Sequence, residues 1–282
     1  MFMKTVGIVA CSDAQKSEWS EHNQNLISIL ESTGRNVLVS NCIYEKNGPF
    51  SGTGKERARE LMKFFLNSDV EDIYDISGGD MANELLDELD FKRIKNSNAT
   101  FWGYSDLTTI INAIYSQTGK SSVLYQVKNM VYGDCQDTQR ERFTNRTDLF
   151  NPYFHFIQGS RIRGTVVGGN IRCFLKLSGT KYFPDVTDKI LLLESFGGEV
   201  PQMTTYLSQL KSCGVFDKIQ GILLGTICKT LTLCVLAISI YHVFHLIQNA
   251  TFACLRIYCV AECCKIAISP KCSITAFYAL KI

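Results

Sequence analysis

The stretch FWGYSDLTTIINAIY, Phe101 to Tyr115, changes period in its middle. Before Tyr104 it is a short apolar run of strand type. After Asp106 its apolar residues, Leu107, Ile110, Ile111 and Ile114, recur at helical spacing. That pattern predicts a buried strand, a sharp turn and a helix. Two readings of the turn are open. A serine exposed at a strand-to-helix turn suits a nucleophile, because the helix start adds positive potential and the next backbone N–H can stabilise an oxyanion. Alternatively, Ser105 or Asp106 simply caps the helix. The turn is not a G-x-S-x-G elbow, since no glycine follows the serine.

Working outward, the same alternation repeats. Residues 4–10, 36–43, 71–77 and 99–105 read as strands, and residues 20–34, 52–70, 81–90 and 107–119 read as helices. The second helix carries an apolar stripe at Ala58, Leu61, Met62 and Phe65. Strand and helix in alternation with short connections imply an α/β domain built on a mainly parallel sheet. Its functional loops are expected at the strand C-termini. The GTGK at Gly52 to Lys55 lacks the first glycine and the final Ser or Thr of a phosphate loop, so it reads as a loop and helix start.

From about Val131 the pattern changes. Residues 132–152 are polar and read as turn-rich, and the domain boundary is placed there. Short β-like runs follow at 153–159, 161–169 and 189–195, then a helix over 200–216 and a strand over 218–226. The organisation expected is an N-terminal α/β domain over 1–135, a smaller β-rich C-terminal domain over 150–226, and a tail over 227–282. VVGGN at Val166 to Asn170 reads as a tight turn.

Composition narrows the class. The chain has 282 residues, 46% hydrophobic and 20% charged, as a globular protein of two domains requires. A net charge of +2 gives no strong pull toward nucleic acid. The N-terminal apolar run is too short for a signal-peptide core. Five cysteines, Cys11, Cys42, Cys135, Cys173 and Cys213, are scattered without paired spacing, as in a reducing compartment, so a cytoplasmic body is expected.

The tail is different. It carries seven cysteines and six charged residues, and every glycine lies at or before Gly225. From Thr230 to Leu255 there is no Asp, Glu, Lys or Arg. Three readings stand: a membrane helix, a buried helix of the second domain, or a shifted reading frame that replaced the native C-terminus. The cluster Cys259 to Cys264 has no second pair to complete a zinc site, so no metal is expected.

Four blocks in order carry a resemblance: SGGDMANELLDELDF (Ser77 to Phe91), FWGYSDLTTIINAIYSQTG (Phe101 to Gly119), VVGGNIRCFLKLSGTKYFPD (Val166 to Asp185), and the segment from Ile190 to Thr226 that opens ILLLESFGGE. Together they resemble the LD-carboxypeptidase family of serine peptidases, in the branch that looks like the microcin immunity proteins. The resemblance covers Lys4 to Thr226. It implies an active-site groove between the two domains, a Ser-Glu-His triad and no cofactor. Ser105 is then the nucleophile and Glu194 orients the histidine. Gly78, Gly79 and Asp80 line the oxyanion and substrate site, and the N–H groups of Gly79 and Asp106 are the oxyanion donors. The implied substrates are small: an L,D-peptide of cell-wall type, or a peptidyl or aminoacyl nucleotide conjugate. A homodimer is common in the family.

The chain departs from the family at the base. Of four histidines, His22 reads as a surface residue of the first helix, and His155 has no family counterpart. His242 and His245 lie in the tail without the preceding glycine. A catalytically impaired binding protein with the same groove, or a form tethered to a membrane by the tail, are the alternatives.

Overall fold

The computed structural model of the chain describes residues 4–150, 154–227, 251–255 and 280–281. The N-terminal half alternates strand and helix: β1 (Lys4–Val9), α1 (Ser20–Ser32), β2 (Arg35–Val39), α2 (Gly54–Leu66), β3 (Val70–Asp75), α3 (Phe91–Asn96), β4 (Thr100–Gly103), α4 (Thr108–Thr118) and β5 (Val123–Leu124); the helix expected over 81–90 is instead a 3-10 helix, Ala82–Glu88, with α3 following it. α5 (Gln136–Thr144) and α6 (Arg146–Leu149) follow. The C-terminal half holds β6 (Phe154–Gln158), β7 (Val166–Asn170), α7 (Ile171–Leu175), β8 (Ile190–Ser195), α8 (Val200–Ser212), β9 (Gly221–Ile227) and β10 (Thr251–Leu255). A last short strand, β11 (Leu280–Lys281), returns to the first sheet.

The first sheet runs β2-β1-β3-β4-β5-β11, parallel except for β11. β1 is buried from Thr5 to Val9, as a strand covered on both faces must be. The strand order reverses direction at β1 and β3. In open parallel sheets that switch point opens a crevice at the strand C-termini, and ligands bind there. The loops after β1, β3 and β4 all emerge on this edge.

The second sheet runs β6-β10-β9-β8-β7, with β7 to β10 parallel and β6 antiparallel. β8 is buried along its whole length. Its side chains Leu191 and Leu193 join Val167, Ile222, Leu224, Met203, Leu207 and Leu210 in one core. The molecule is thus a parallel α/β domain followed by a smaller domain with its own parallel sheet.

Two readings are corrected. Residues 132–152 are not merely turns. α5 and α6 lie there, and Phe143 packs among Tyr74, Trp102 and Tyr125 of the first domain. Their apolar anchors, Phe143 and Leu149, are too few to show a helical stripe in sequence. VVGGN is not a turn but the strand β7. Gly168 and Gly169 hold φ of 104° and 130°, a region that side chains disfavour. A Cβ on Gly169 would stand 2.7 Å from Thr108 Oγ1, so the glycines let the strand lie directly on α4. GTGK is the loop and helix start that its sequence indicates, and it is capped: the Thr53 side chain accepts the Glu56 N–H and Glu56 reaches back to the Thr53 N–H.

Buried Asn112 of α4 ties the domains together. Its Nδ2 donates to the Gly168 carbonyl at 2.8 Å, and its Oδ1 accepts the Gly168 N–H at 2.9 Å. Asn112→Ala leaves both backbone groups of Gly168 unpaired in the interior. We expect a loss of about 2 kcal/mol and a thermal midpoint lower by roughly 4–8 °C, measurable by calorimetry.

Most of the tail lies outside the described residues. That includes His242, His245, the Cys259 to Cys264 cluster and most of the apolar run Thr230 to Leu255. Among the described residues, no helix is long and apolar enough to cross a membrane, and no cluster of three or more His, Cys, Asp or Glu could hold a metal.

Candidate active site

β4 ends at Gly103, and the chain turns through a single 3-10 turn, Ser105–Leu107, into α4. Ser105 has φ of 58°, the left-handed region. A non-glycine residue there costs on the order of 1–3 kcal/mol and persists only where its surroundings hold it. Neither Ser105 nor Asp106 caps α4 with its side chain. The capping reading of the turn is therefore set aside. Ser105 is half-buried and faces a cleft of about 370 Å³. Gly79 and Asp80 line it from the β3 loop, Asn170 and Arg172 from β7 and α7, and Ser195 to Gly198 with Gln202 and Tyr206 from β8 and α8. The cleft thus lies between the two domains.

What holds the strained turn is a buried polar network. Asp106 is fully buried. Its Oδ2 accepts the Ser12 hydroxyl at 2.7 Å and the Ala82 N–H at 2.8 Å, and its Oδ1 pairs with Lys176 Nζ at 2.5 Å. Ser12 N–H donates to Ser77 Oγ at 2.9 Å, and Ser77 Oγ donates to Asp75 Oδ1 at 2.6 Å. Desolvation raises the Asp75 carboxyl above its usual range, against the donors that hold it. The loops after β1, β3 and β4 are thereby fixed to one another, and Lys176 fixes them to the second domain.

The glycine turn is equally constrained. Gly78 lies against Ser105, with its hypothetical Cβ 4.0 Å from the serine Cβ. Gly79 has φ of 124°, and a Cβ there would stand 2.0 Å from the Asp13 carboxylate. The Gly79 carbonyl accepts from Arg172 Nη2 at 3.1 Å. The Asp80 carboxylate pairs with Arg172 and, at 3.3 Å, with Lys176.

Glu194 is the next-to-last residue of the buried strand β8 and is 2% exposed. It does not line the cleft. It accepts the Tyr104 hydroxyl at 3.0 Å through Oε2, so the residue before the serine reaches the glutamate across the domain boundary. Of the residues singled out from sequence, Ser105, Gly79 and Asp80 line the cleft, Gly78 abuts the serine, Asp106 anchors the turn from below, and Glu194 is joined to it through Tyr104. His22 is exposed on α1, against Trp19 and Tyr132. The sequence reading missed Ser12, Asp13, Tyr104, Arg172 and Lys176. The β1 loop was reachable from the strand C-terminus rule. Arg172 and Lys176 had no signal, because only the docking of α7 on the first domain brings them in.

The LD-carboxypeptidase N-terminal domain matches residues 6–125, and the LD-carboxypeptidase C-terminal domain matches residues 163–244. The chain belongs to the LD-carboxypeptidase family. The second match runs past Thr226 into the compositionally distinct segment. This LD-carboxypeptidase homologue is 26% identical to the "probable murein peptide carboxypeptidase" of Bacillus subtilis (strain 168) over 232 residues, 78% of the chain and 70% of that protein. It is 25% identical to the microcin C7 self-immunity protein of Escherichia coli over 211 residues, 62% of the chain and 61% of that protein. The chain therefore spans about two thirds of the length of these curated relatives. Among solved structures, the muramoyltetrapeptide carboxypeptidase from Oxalobacter formigenes has a TM-score of 0.76 at 21% identity, covering 98% of this chain and 92% of its own. The wild-type apo microcin C7 self-immunity protein has a TM-score of 0.73 at 21% identity, covering 90% and 88%. These likenesses show the shared fold.

Proposed function

We propose that the chain is a serine hydrolase of carboxypeptidase type, with Ser105 as nucleophile. The observation that carries this is the left-handed backbone of Ser105 at the mouth of the interdomain cleft, held by a fully buried carboxylate on the next residue. Strain at a half-exposed serine is retained at a cost, and a nucleophile is the role that explains it. Serine attacks the scissile carbonyl, and a tetrahedral oxyanion forms. The N–H of Asp106, early in a helical turn where intrahelical acceptors are lacking, and the N–H of Gly79 are its donors. The base that takes the serine proton returns it to the leaving amine as the intermediate collapses, which expels the terminal residue and leaves an acyl-enzyme that water hydrolyses. Glu194 orients the base, with Tyr104 fixing one of its oxygens.

The substrates proposed are an L,D-peptide of cell-wall type or an aminoacyl nucleotide conjugate. The microcin C7 self-immunity protein has been solved with glutamyl sulfamoyl guanosine and with aspartyl sulfamoyl adenosine, both carrying an acidic aminoacyl group. Arg172 is the single cation among the described residues lining this cleft and suits a substrate carboxylate. Arg172→Ala is expected to raise KM about tenfold or more, since a charge-assisted hydrogen bond contributes roughly 1.5–3 kcal/mol. Steady-state kinetics on an L,D-tetrapeptide and on glutamyl sulfamoyl guanosine check this and rank the two substrate classes.

One observation favours a second reading. None of the described residues lining the cleft is a histidine. A binding protein that keeps the groove without turnover fits that. Fluorophosphonate labelling of Ser105 separates the two: covalent adduct at Ser105 supports the hydrolase, and none supports the binder.

A further inference from the structure

Asp13 has no part in the triad or in the cleft lining, yet it holds both peptide units of the glycine turn. Its backbone N–H donates to the Gly78 carbonyl at 3.1 Å. Its carboxylate Oδ1 accepts the Asp80 N–H at 3.0 Å. Each bond fixes one plane. The Gly78–Gly79 peptide is trans, so with its carbonyl turned to Asp13 its N–H points the opposite way. Gly78 itself abuts Ser105, its hypothetical Cβ 4.0 Å from the serine Cβ. The Gly79–Asp80 peptide is pinned at both ends, its N–H on Asp13 and its carbonyl on Arg172 Nη2. The carboxylate also occupies the space a Gly79 side chain would need, at 2.0 Å. Ser12, its neighbour, donates its hydroxyl to the Asp106 carboxylate at 2.7 Å, and the same oxygen stands 3.4 Å from Asp13 Oδ1. One dipeptide thus spans the two turns that carry the two oxyanion donors.

We infer that Asp13 is the positioning residue of the oxyanion site: it presets the Gly79 N–H toward the carbonyl oxygen of a substrate attacked by Ser105. This rests on the serine hydrolase reading and deepens it. Only the acceptor oxygen is required for the carboxylate's share, since the bond runs from a backbone N–H to Oδ1. Asparagine keeps that acceptor and alanine does not. The residue at position 13 keeps its own N–H in both variants.

The test uses the full chain. Asp13→Ala is expected to slow fluorophosphonate labelling of Ser105, and to lower kcat on an L,D-tetrapeptide, by roughly 10- to 100-fold with KM within about twofold. Asp13→Asn is expected to restore both to within about threefold of the parent. Amide hydrogen exchange of the segment 76–82 is expected to speed up at least tenfold in Asp13→Ala and to stay near the parent in Asp13→Asn. Equal labelling and exchange in the parent and Asp13→Ala overturn the inference, as does an Asp13→Asn variant as slow as Asp13→Ala. Ser105→Ala is the control on the underlying reading. If it labels and turns over like the parent, the serine assignment fails whatever Asp13 does. If Ser105→Ala is dead while Asp13→Ala is unimpaired, only the positioning role falls. The exchange comparison reads the turn directly, so it decides the positioning role even in a parent that shows no turnover.

Discussion

Ser105→Ala is expected to abolish hydrolysis of an L,D-tetrapeptide, with kcat lower by at least about 10⁴-fold, while the thermal midpoint stays within a few degrees of the parent. The two halves of that expectation have different causes. The hydroxyl alone supplies the attacking oxygen, and the residual rate comes from the oxyanion site acting on water. The fold does not depend on the hydroxyl, because the turn is held by the backbone and by its neighbour Asp106, not by Ser105 Oγ. Alanine must still adopt φ of 58°, so no strain is relieved. Mass spectrometry after fluorophosphonate treatment provides a second readout: the parent gains one adduct on Ser105 and the variant none. Turnover preserved in Ser105→Ala would end the nucleophile assignment.

The largest stability effect is expected one residue further on. Asp106→Ala removes a fully buried carboxylate that accepts from Ser12, Ala82 and Lys176. Three donors are then left without that partner. One of them is an ammonium that the protein has drawn largely out of water. Breaking a buried pair in this way costs about 3–5 kcal/mol, a fall in thermal midpoint of about 10 °C or more for a chain of this size. Surface pairs such as Lys4 with Glu71 offer the contrast, since both partners there remain solvated and their loss is expected to cost less than about 1 kcal/mol. Activity should fall with stability, because the carboxylate holds the strained serine turn. Lys176→Met tests the attribution. It leaves the Asp106 charge buried with its two neutral donors, and is expected to destabilise by a similar amount; combining Lys176→Met with Asp106→Leu should recover part of the loss. A neutral Asp106→Ala in calorimetry would refute the network account.

The first domain was legible because its strands are short apolar runs between helices of clear period, and a parallel sheet buries such runs on both faces. The site within it was partly legible for the same reason: Ser105 and the Gly78-Gly79 turn follow strands, and strand C-termini of parallel sheets open onto the crevice. β7 was misread because two adjacent glycines signal a turn locally. Only the approach of α4, with Thr108 and Asn112, shows why a strand needs them. The helices at 136–149 were hidden because two apolar residues cannot draw a stripe. Sequence by itself determined the alternating α/β order, the strand-turn-helix that exposes Ser105, and the acidic end of β8 at Glu194, since these are set by local period and by the solvation cost of a carboxylate on an apolar strand. Tertiary structure alone decided that Asp13 clamps the glycine turn, that Lys176 neutralises Asp106, and that Tyr104 meets Glu194. Those pairs stand 65 or more residues apart in the chain, and no local pattern can encode which buried charge will find which partner once two domains close on each other.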